Sequence, residues 1–267
     1  MAKSVEAEVE KMKMLEERIK APSIWGRVPC GVRFEDLQDT RYEDAVRLLK
    51  NHYLSEELTY RSVKLADDKE GTDEFVHNVR IWMKDKMSIA GQDVDRYRGY
   101  RKKVSAFSRT FSRVKITYNE KYTTVMTFYR EIEKPVDLFE KLGVRRYFKI
   151  YVLALKSRYR HRGIAKEMLK AAIALSASAN VPAIAGIFTT SRSQQIAEEL
   201  GFEKHNELYY VRYLIDEQIV FWDTGVGNYG AALMAYRIPS IEEPQELKAQ
   251  PSSRFAIQPT EDDKNDD

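Results

Sequence analysis

The chain has 267 residues, 43% of them hydrophobic and 11% aromatic, and a formal net charge of +3, which is too small to mark a polyanion-binding protein. A protein of this length can bury a large core in one or two domains, and its one cysteine, Cys30, excludes an internal disulfide and fits a reducing compartment. No signal-peptide pattern or membrane-length apolar run occurs, so we expect a cytoplasmic protein, with the nucleus as an alternative, and no membrane contact.

The charges are unevenly distributed along the chain. Residues 241–267 hold eight acidic and three basic residues, a net charge of −5, which leaves +8 for the remainder. A modestly basic body suits a ligand that carries several phosphate charges. The acidic segment is also poor in aromatic residues, which predicts a disordered tail.

The N-terminal part predicts a helix, a connector and a strand. Residues 1–20 carry an apolar stripe at helical spacing, and this helix either packs on the body or docks a partner. Pro22 and Pro29 bracket a non-helical connector. Residues 30–35 predict the first strand. We therefore expect three segments: residues 1–29, a folded domain over 30–240, and the tail over 241–267.

Two helices and a further strand follow. Thr40 and Glu43 have capping-box spacing and open a helix that runs toward Leu58. Residues 74–84 predict a second helix and residues 87–92 a strand.

The next segment, residues 99–116, contains six lysine and arginine residues and no acidic residue. Interleaved aromatic residues leave a nucleic-acid surface open as an alternative. A solvated β-hairpin face, or part of a wall that faces phosphate, is the interpretation we favour, so nucleic acid is not an expected partner.

A helix is predicted over residues 119–133 and is ended by Pro135, with a shorter turn or helix to follow. The apolar, aromatic run over residues 147–155 predicts a buried strand. A basic turn separates this strand from a helix over residues 164–180, whose apolar residues share one face.

This basic turn predicts an anion site. The first N–H groups of a helix have no partner within it, and they point outward at the positive end of the helix dipole. Arg160 and Arg162 add positive charge, and Gly163 lets a ligand approach the backbone. The turn is not a Walker loop, and it lacks two of the three glycines of a dinucleotide fingerprint.

A second strand–turn–helix unit follows. Residues 183–188 are wholly apolar apart from glycine, as expected of a buried strand. Hydroxyl residues from Thr189 to Ser193 precede a helix over residues 194–200, which stops at Gly201. Two closing strands are predicted, over residues 207–215 and 231–238.

Together the two units resemble the GNAT acetyltransferases. Arg160-His161-Arg162-Gly163-Ile164-Ala165 matches the Arg/Gln-x-x-Gly-x-Gly/Ala pyrophosphate-binding signature of that superfamily. The invertebrate arylalkylamine N-acetyltransferases are the most similar members. They carry Tyr-Arg-Gly-x-Gly-Ile-Ala, then Cys-Ser-Ser-x-x-Ser-Ala, then Leu-Gly-Phe. The last two correspond here to the turn after Phe188 and to Leu200-Gly201-Phe202.

The resemblance implies an α/β (α+β) GNAT fold, with a mixed central sheet of about six to seven strands flanked by helices. It implies acetyl-CoA as co-substrate and no metal. The turn would bind the pyrophosphate, and the preceding strand would pair with the pantetheine amides and supply an oxyanion donor near Leu155. The implied cofactor-binding residues are Leu153, Ala154, Leu155, Arg160, His161, Arg162, Gly163, Ile164 and Ala165.

The resemblance also implies a glutamate as general base. The family's Asp-Glu-Pro-Leu corresponds to Ser55-Glu56-Glu57-Leu58, where the proline is absent. Counting from His52 favours Glu57, whereas anchoring on Leu58 favours Glu56. Ser193 would protonate or hydrogen-bond the leaving sulfur with help from Thr189, or both hydroxyls would cap the helix. The tyrosine acid of many other GNAT enzymes is replaced by Ala197.

The implied reaction is acetyl transfer to the primary amine of a small arylalkylamine, such as dopamine, serotonin or tyramine, by direct attack in a ternary complex on a monomeric enzyme. Tyr53, Tyr209 and Tyr210 favour an aromatic amine unless they belong to the core. A polyamine or agmatine is an alternative, because two adjacent glutamates suit a polycation. A protein N-acetyltransferase, or a non-catalytic module that binds CoA or nucleic acid, is a further alternative.

Overall fold

The first sheet is antiparallel and lies in the N-terminal half of the chain. The computed structural model describes residues 22–93, 103–104 and 119–239. Within them this sheet has the order β1-β2-β3-β4. Its strands are β1 (Ile24–Arg27), β2 (Val32–Asp36), β3 (Ile89–Asp93) and β4 (Lys103–Val104). Three predicted segments lie outside the described residues: the helix over 1–20, the tail over 241–267 and most of the basic segment 99–116.

The predicted strands β2 and β3 are confirmed, but the connector between Pro22 and Pro29 contains a strand that the sequence analysis missed. Residues 24–27 pair with β2 in antiparallel register, which includes a bulge. The Trp25 indole N–H donates to Asp36 Oδ1 at 2.7 Å, which ties β1 to the end of β2. This strand is half exposed and lacks alternation of apolar residues, so only pairing reveals it.

The helices of the N-terminal half follow one another closely along the chain, and only the last of them is long. They are α1 (Tyr42–Leu48), a π-helical segment (Leu49–Tyr53), α2 (Leu54–Glu56), α3 (Leu58–Ser62) and α4 (Lys69–Met83). The capping box predicted for α1 is wrong, because Thr40 lies in a preceding 3-10 turn and Arg41 occupies the N-cap without a side-chain cap bond. Helix α4 begins five residues before the predicted start at residue 74, because Asp68 caps it by accepting from the Gly71 N–H at 2.9 Å.

The second sheet is mixed and has the order β5-β6-β10-β7, with β5 parallel to β6 and the other pairs antiparallel. A two-stranded hairpin, β8-β9, follows β7. The strands are β5 (Phe148–Ile150), β6 (Ala183–Phe188), β7 (Glu203–Tyr209), β8 (Leu214–Ile215), β9 (Gln218–Ile219) and β10 (Gly230–Arg237).

The strand predicted at 183–188 is confirmed as β6, and the one at 231–238 corresponds to β10. The strand predicted over 147–155 is shorter, since only Phe148–Ile150 pairs with a neighbour. The strand predicted over 207–215 is displaced, because β7 begins at Glu203 and the chain then enters a 3-10 turn, Tyr210–Arg212.

Four helices accompany the second sheet: α5 (Glu120–Glu133), α6 (Leu138–Leu142), α7 (Ile164–Ser178) and α8 (Ser191–Glu198). Helix α5 is confirmed, and Asn119 caps it by accepting from the Tyr122 N–H at 3.0 Å. Among the helices of the described residues, none is both long and apolar enough to cross a membrane.

A mixed α/β fold is confirmed. The expected single sheet of six to seven strands is, over the described residues, two four-stranded sheets and a hairpin. The second sheet separates two apolar clusters. On β10, Leu233 and Ala235 face a cluster shared with α1, α4 and α5, whereas Ala232 and Met234 face a cluster beneath α7. This alternation follows from the two-residue repeat of a strand, and it places α7 opposite the N-terminal helices.

Candidate active site

A cavity of about 1100 Å³ contains most of the residues singled out in the sequence. Its wall is formed by the chain around α2 and α3, by α4 and α5, by residues that follow β5, by the turn before α7 and by the start of α8. The cavity therefore connects the predicted anion site to the predicted general base.

The turn before α7 exposes the first backbone groups of a 15-residue helix. Gly163 is the N-cap residue at φ 72°, and no side chain caps the helix. His161 also has a positive φ, 61°. A Cβ placed on Gly163 would meet nothing within 4 Å, so the space in front of the helix end is open. Open N–H groups at the positive end of a helix dipole are suited to bind an anion.

The two arginines of this turn have different surroundings. Arg160 forms an ion pair with Glu56 and donates from Nη2 to the Leu155 carbonyl at 3.2 Å. Arg162 is exposed and does not line the cavity, unlike the other predicted cofactor-binding residues. The cofactor-binding role expected of Arg162 stays a prediction.

The chain leaves the second sheet immediately before this turn. The β5–β6 ladder ends at the pair Ile150–Gly186. A Cβ on Gly186 would lie 3.0 Å from Ile150 Cβ and 3.3 Å from the Ile150 carbonyl oxygen, so glycine allows the two strands to approach closely there. The residues that follow, including Leu153, Ala154 and Leu155, line the cavity.

The two adjacent glutamates have different partners. Glu56 ends α2, where its carboxylate pairs with Arg160 and accepts from the Ser157 hydroxyl at 3.1 Å. Glu57 has an extended backbone (φ −70°, ψ 132°) and is the N-cap residue of α3. The helix therefore breaks between the two residues, and the two neighbouring carboxylates have separate partners.

The carboxylate of Glu57 is held firmly at the start of α3. Its Oε2 accepts from the Thr59 N–H at 2.9 Å, the Tyr60 N–H at 3.0 Å and the Thr59 hydroxyl at 2.6 Å. Its Oε1 is inaccessible to solvent and has no hydrogen-bond partner among the described residues. An unpaired buried carboxylate oxygen is costly, and such groups are concentrated at functional sites.

Tyrosines surround Glu57. The Tyr60 ring contacts those of Tyr53 and Tyr129, with centroids 5.9 and 6.4 Å away. Burial raises the pKa of Tyr53, Tyr129 and Tyr210 above the ordinary value, and the negative charge of Glu57 adds to each shift. These phenols therefore remain neutral hydrogen-bonding groups beside the carboxylate.

Aromatic side chains also form other parts of the wall. Trp82 and Tyr151 stack with their centroids 4.6 Å apart and both line the cavity. Asn78 Nδ2 donates to the Tyr122 hydroxyl at 3.0 Å, and this pair also belongs to the wall. The surface is suited to hold an aromatic ring and to hydrogen-bond a substituent on it.

The hydroxyl-rich turn before α8 is organised by a capping box. Thr190 is the N-cap residue, and the Ser193 N–H donates to its Oγ1 at 3.1 Å. Ser193 Oγ donates in turn to the Thr190 carbonyl at 2.8 Å. Of the two functions that the sequence left open for Ser193, the observed contacts are those of capping. Thr189 and Ser193 both line the cavity.

Several singled-out residues lie away from the cavity. Tyr210 is buried, and its hydroxyl donates to the Thr189 carbonyl at 2.6 Å. Tyr209 is exposed on β7. Neither tyrosine lines the cavity, whereas Tyr53 does. In the described part of the chain, no group of three or more His, Cys, Asp or Glu side chains could hold a metal ion.

Two hydroxyl residues beside Glu57, Thr59 and Tyr129, were not among the predicted site residues. Thr59 lies two positions after Glu57, where an N-cap side chain meets the first free N–H groups, so a local signal existed. Tyr129 lies 70 residues from Thr59, yet the two hydroxyl oxygens are 2.7 Å apart. No sequence pattern joins α5 to α3, so the sequence alone does not link Tyr129 to Glu57.

A scan against protein-family models and a search of the curated proteins both find no match. Solved structures do match. Putative arylalkylamine N-acetyltransferase 7 from the yellow fever mosquito Aedes aegypti has a TM-score of 0.71 at 23% identity, over 83% of this chain and 97% of its own. Arylalkylamine N-acetyltransferase 2 from Aedes aegypti has a TM-score of 0.69 at 20% identity, over 78% and 99%. Drosophila melanogaster polyamine N-acetyltransferase has a TM-score of 0.59 at 12% identity, over 77% and 99%.

The chain therefore has the GNAT N-acetyltransferase fold, as its two sequence motifs predicted. The predicted likeness to the insect arylalkylamine N-acetyltransferases is also confirmed at the level of structure. At these identities the likeness defines the fold, and the chemistry has to be argued from the residues of the cavity.

Proposed function

We propose that this protein is an acetyl-CoA-dependent N-acetyltransferase that acetylates the primary amine of a small arylalkylamine by direct attack in a ternary complex. One observation carries the proposal. A single cavity joins the uncapped start of α7 to the carboxylate-bearing residue Glu57. An acetyl donor bound at the first end and an amine held near the second would share one cavity.

The residues at the α7 end fit a CoA pyrophosphate. The first N–H groups of α7, the open space at Gly163 and the positive charge of Arg160 are all favourable to a phosphate group. When bound, acetyl-CoA supplies the activated acetyl group. The backbone after β5, at Leu153 and Leu155, is suited to pair with the pantetheine amides and to donate to the thioester oxygen.

The amine must lose a proton before it attacks, because an alkylammonium has a pKa of about 10 and no free electron pair. We assign Glu57 as the base that receives this proton. Glu56 is less suited, because its carboxylate already pairs with Arg160 and Ser157. We assign Thr189 as the hydrogen-bond donor to the leaving sulfur, because the proton of Ser193 Oγ points to the Thr190 carbonyl.

The wall of the cavity supports an aromatic acceptor over a polyamine. The polyamine alternative used two adjacent carboxylates, but the ion pair with Arg160 leaves Glu57 as the carboxylate beside the tyrosines. Glu133, which also lines the cavity, pairs with Lys149. The stacked pair Trp82 and Tyr151 instead offers an apolar face to a ring.

The proposal is tested by thiol release from acetyl-CoA with tryptamine, dopamine, tyramine, agmatine, spermidine and a lysine peptide as acceptors. We expect turnover with the arylalkylamines. Glu57→Gln should lower kcat by about 10²–10⁴-fold, the range that a general base contributes. Glu56→Gln is the matched control, since it removes the neighbouring carboxylate and should leave most of kcat.

Turnover with agmatine or spermidine alone would move the assignment to a polyamine enzyme, and turnover with the peptide alone would indicate a protein N-acetyltransferase. Binding of acetyl-CoA without any turnover would support a non-catalytic module. The monomeric state and cytoplasmic location remain predictions, which gel filtration and cell imaging would check.

A further inference from the structure

We propose that the proton of the acceptor amine reaches Glu57 through the hydroxyl groups of Tyr129 and Thr59, which form a continuous hydrogen-bonded chain from the cavity wall to Glu57 Oε2. This inference rests on the proposed function and defines how its base is reached. Tyr129 is assigned as a catalytic residue that contacts the amine, and Thr59 as a positioning residue that acts between Tyr129 and Glu57.

Such a route is needed because the carboxylate oxygens of Glu57 are both covered. Oε2 already accepts from two backbone N–H groups and from the Thr59 hydroxyl. Oε1 is inaccessible to solvent. An ammonium group in the cavity therefore has no open carboxylate oxygen to which it can donate, although Glu57 contributes to the wall.

The hydrogen bonds of the chain have one consistent direction. An ionised carboxylate only accepts, so the single proton of Thr59 Oγ1 is donated to Glu57, at 2.6 Å. The 2.7 Å contact between Thr59 Oγ1 and Tyr129 must then use the Tyr129 proton. The Tyr129 oxygen keeps its accepting capacity for another donor. Thr59 is fully buried, whereas Tyr129 lines the cavity, so the chain begins where an amine can bind.

The transfer balances in protons and charge. The ammonium N–H bond breaks and its proton binds to the Tyr129 oxygen, while the Tyr129 proton moves to Thr59 and the Thr59 proton moves to Glu57 Oε2. Each hydroxyl loses one proton and gains one. The electron pair of the broken N–H bond stays on nitrogen, which becomes the nucleophile, and Glu57 becomes a neutral acid. The reversed path returns this proton to the cavity after acetyl transfer.

Three properties of Tyr129 suit this role. Its hydroxyl is hydrogen-bonded to Thr59 Oγ1, and its ring packs edge-on against Tyr60 with centroids 6.4 Å apart. Burial raises its pKa, so the phenol stays neutral at ordinary pH. A phenol that resists ionisation passes a proton on without storing a negative charge. The transfer is therefore concerted along the chain, with no tyrosinate formed.

The experiment measures kcat/KM against pH, from neutral to alkaline, for the wild type, Thr59→Val, Thr59→Ser, Tyr129→Phe and Glu57→Gln, with the arylalkylamine that the wild type acetylates. We expect Thr59→Val and Tyr129→Phe to lose about 100-fold at neutral pH. The loss should shrink as the pH approaches the amine pKa of about 10, because the amine then arrives deprotonated. Thr59→Ser keeps a hydroxyl and should restore most of the activity.

Ser62→Ala is the matched control. Ser62 is a buried hydroxyl residue on the same helix, where it donates to the Leu58 carbonyl at 2.9 Å and does not line the cavity. The melting temperature of this variant measures how much the protein is destabilised when a buried hydroxyl of α3 is removed. The substitution should leave kcat/KM and the pH profile unchanged.

A Thr59→Val enzyme with the wild-type rate and pH profile would overturn the relay. If Glu57→Gln were inactive in the same experiment, the amine proton would be assigned to direct transfer to Glu57 Oε1. A pH-independent loss in Thr59→Val that Ser62→Ala shares would also overturn it, as a structural effect. These results leave the proposed function in place. A wild type that acetylates none of the amines removes the proposed function and the relay with it.

Discussion

Glu56 and Arg160 form an ion pair across 104 residues of sequence, and it connects the end of α2 to the turn before α7. The side chains are 28% and 42% exposed, respectively, so solvent weakens the pair. Its position is nevertheless specific, because Arg160 also donates to the Leu155 carbonyl at 3.2 Å. One glutamate therefore braces the proposed CoA-binding turn, while the next glutamate in sequence faces the tyrosines.

Arg160→Gln should raise the KM for acetyl-CoA by about tenfold, which corresponds to ~1.4 kcal/mol, because a charge beside the pyrophosphate is lost. Arg162→Gln is the comparison, since Arg162 is exposed and does not line the cavity. We expect it to change KM by less than about fivefold, the effect of a solvated charge. Steady-state kinetics with varied acetyl-CoA checks both. Equal effects of the two substitutions on KM would contradict the prediction that Arg160, and not Arg162, lies beside the pyrophosphate.

Gly163→Ala should cost about 1–2 kcal/mol of stability, because Gly163 has φ 72° and a Cβ is unfavourable in this region. It should also raise the KM for acetyl-CoA, since the new methyl group enters the open space before α7. Gly225→Ala is a close match, because Gly225 has the same φ of 72° and lies outside the cavity wall. Urea unfolding should show similar losses in the two variants, and only Gly163→Ala should impair acetyl-CoA binding.

Ser193→Ala and Thr190→Ala each remove one partner of the capping box of α8, and each should lower the free energy of unfolding by about 1 kcal/mol. If Ser193 acts only as a cap, kcat should change equally little in the two variants. Chemical denaturation and steady-state kinetics measure these effects. A loss of kcat confined to Ser193→Ala, at matched stability, would restore the proton-donor role that the resemblance implied.

The buried tyrosines predict a loss of stability at alkaline pH. Burial raises the pKa of Tyr60 well above its unfolded value of about 10, so the folded state favours the neutral phenol. The stability that Tyr60 contributes is fully present below pH 10 and is lost as the pH rises toward the folded pKa. The slope for one such group is at most ~1.4 kcal/mol per pH unit.

Urea unfolding of the wild type and Tyr60→Phe on both sides of pH 10 checks this sign. The wild type should lose more stability than the variant above pH 10, and the two should run parallel below it. Parallel curves over the whole range, with tyrosinate absorbance already present in the folded wild type near pH 10, would contradict the prediction.

Local sequence patterns predicted those helices and strands whose formation depends on residues close together in the chain. The strand β6 and the start of α5 at its cap, Asn119, depend on a few adjacent residues. The turn before α7 was also recognisable, because Gly163 and the preceding basic residues are contiguous. Strand β1 was not predicted, because its residues show no strand pattern and its strand conformation depends on pairing with β2.

The roles within the site were decided by tertiary structure. Local sequence patterns were enough to place an acidic pair at a helix end and a hydroxyl-rich turn before α8. Which glutamate faces the tyrosines depends on Arg160, and the chain from Tyr129 to Glu57 depends on the packing of α5 against α3. Periodicity and capping act over a few residues, whereas the partner of a buried carboxylate is set by which distant side chains the folded core brings to it.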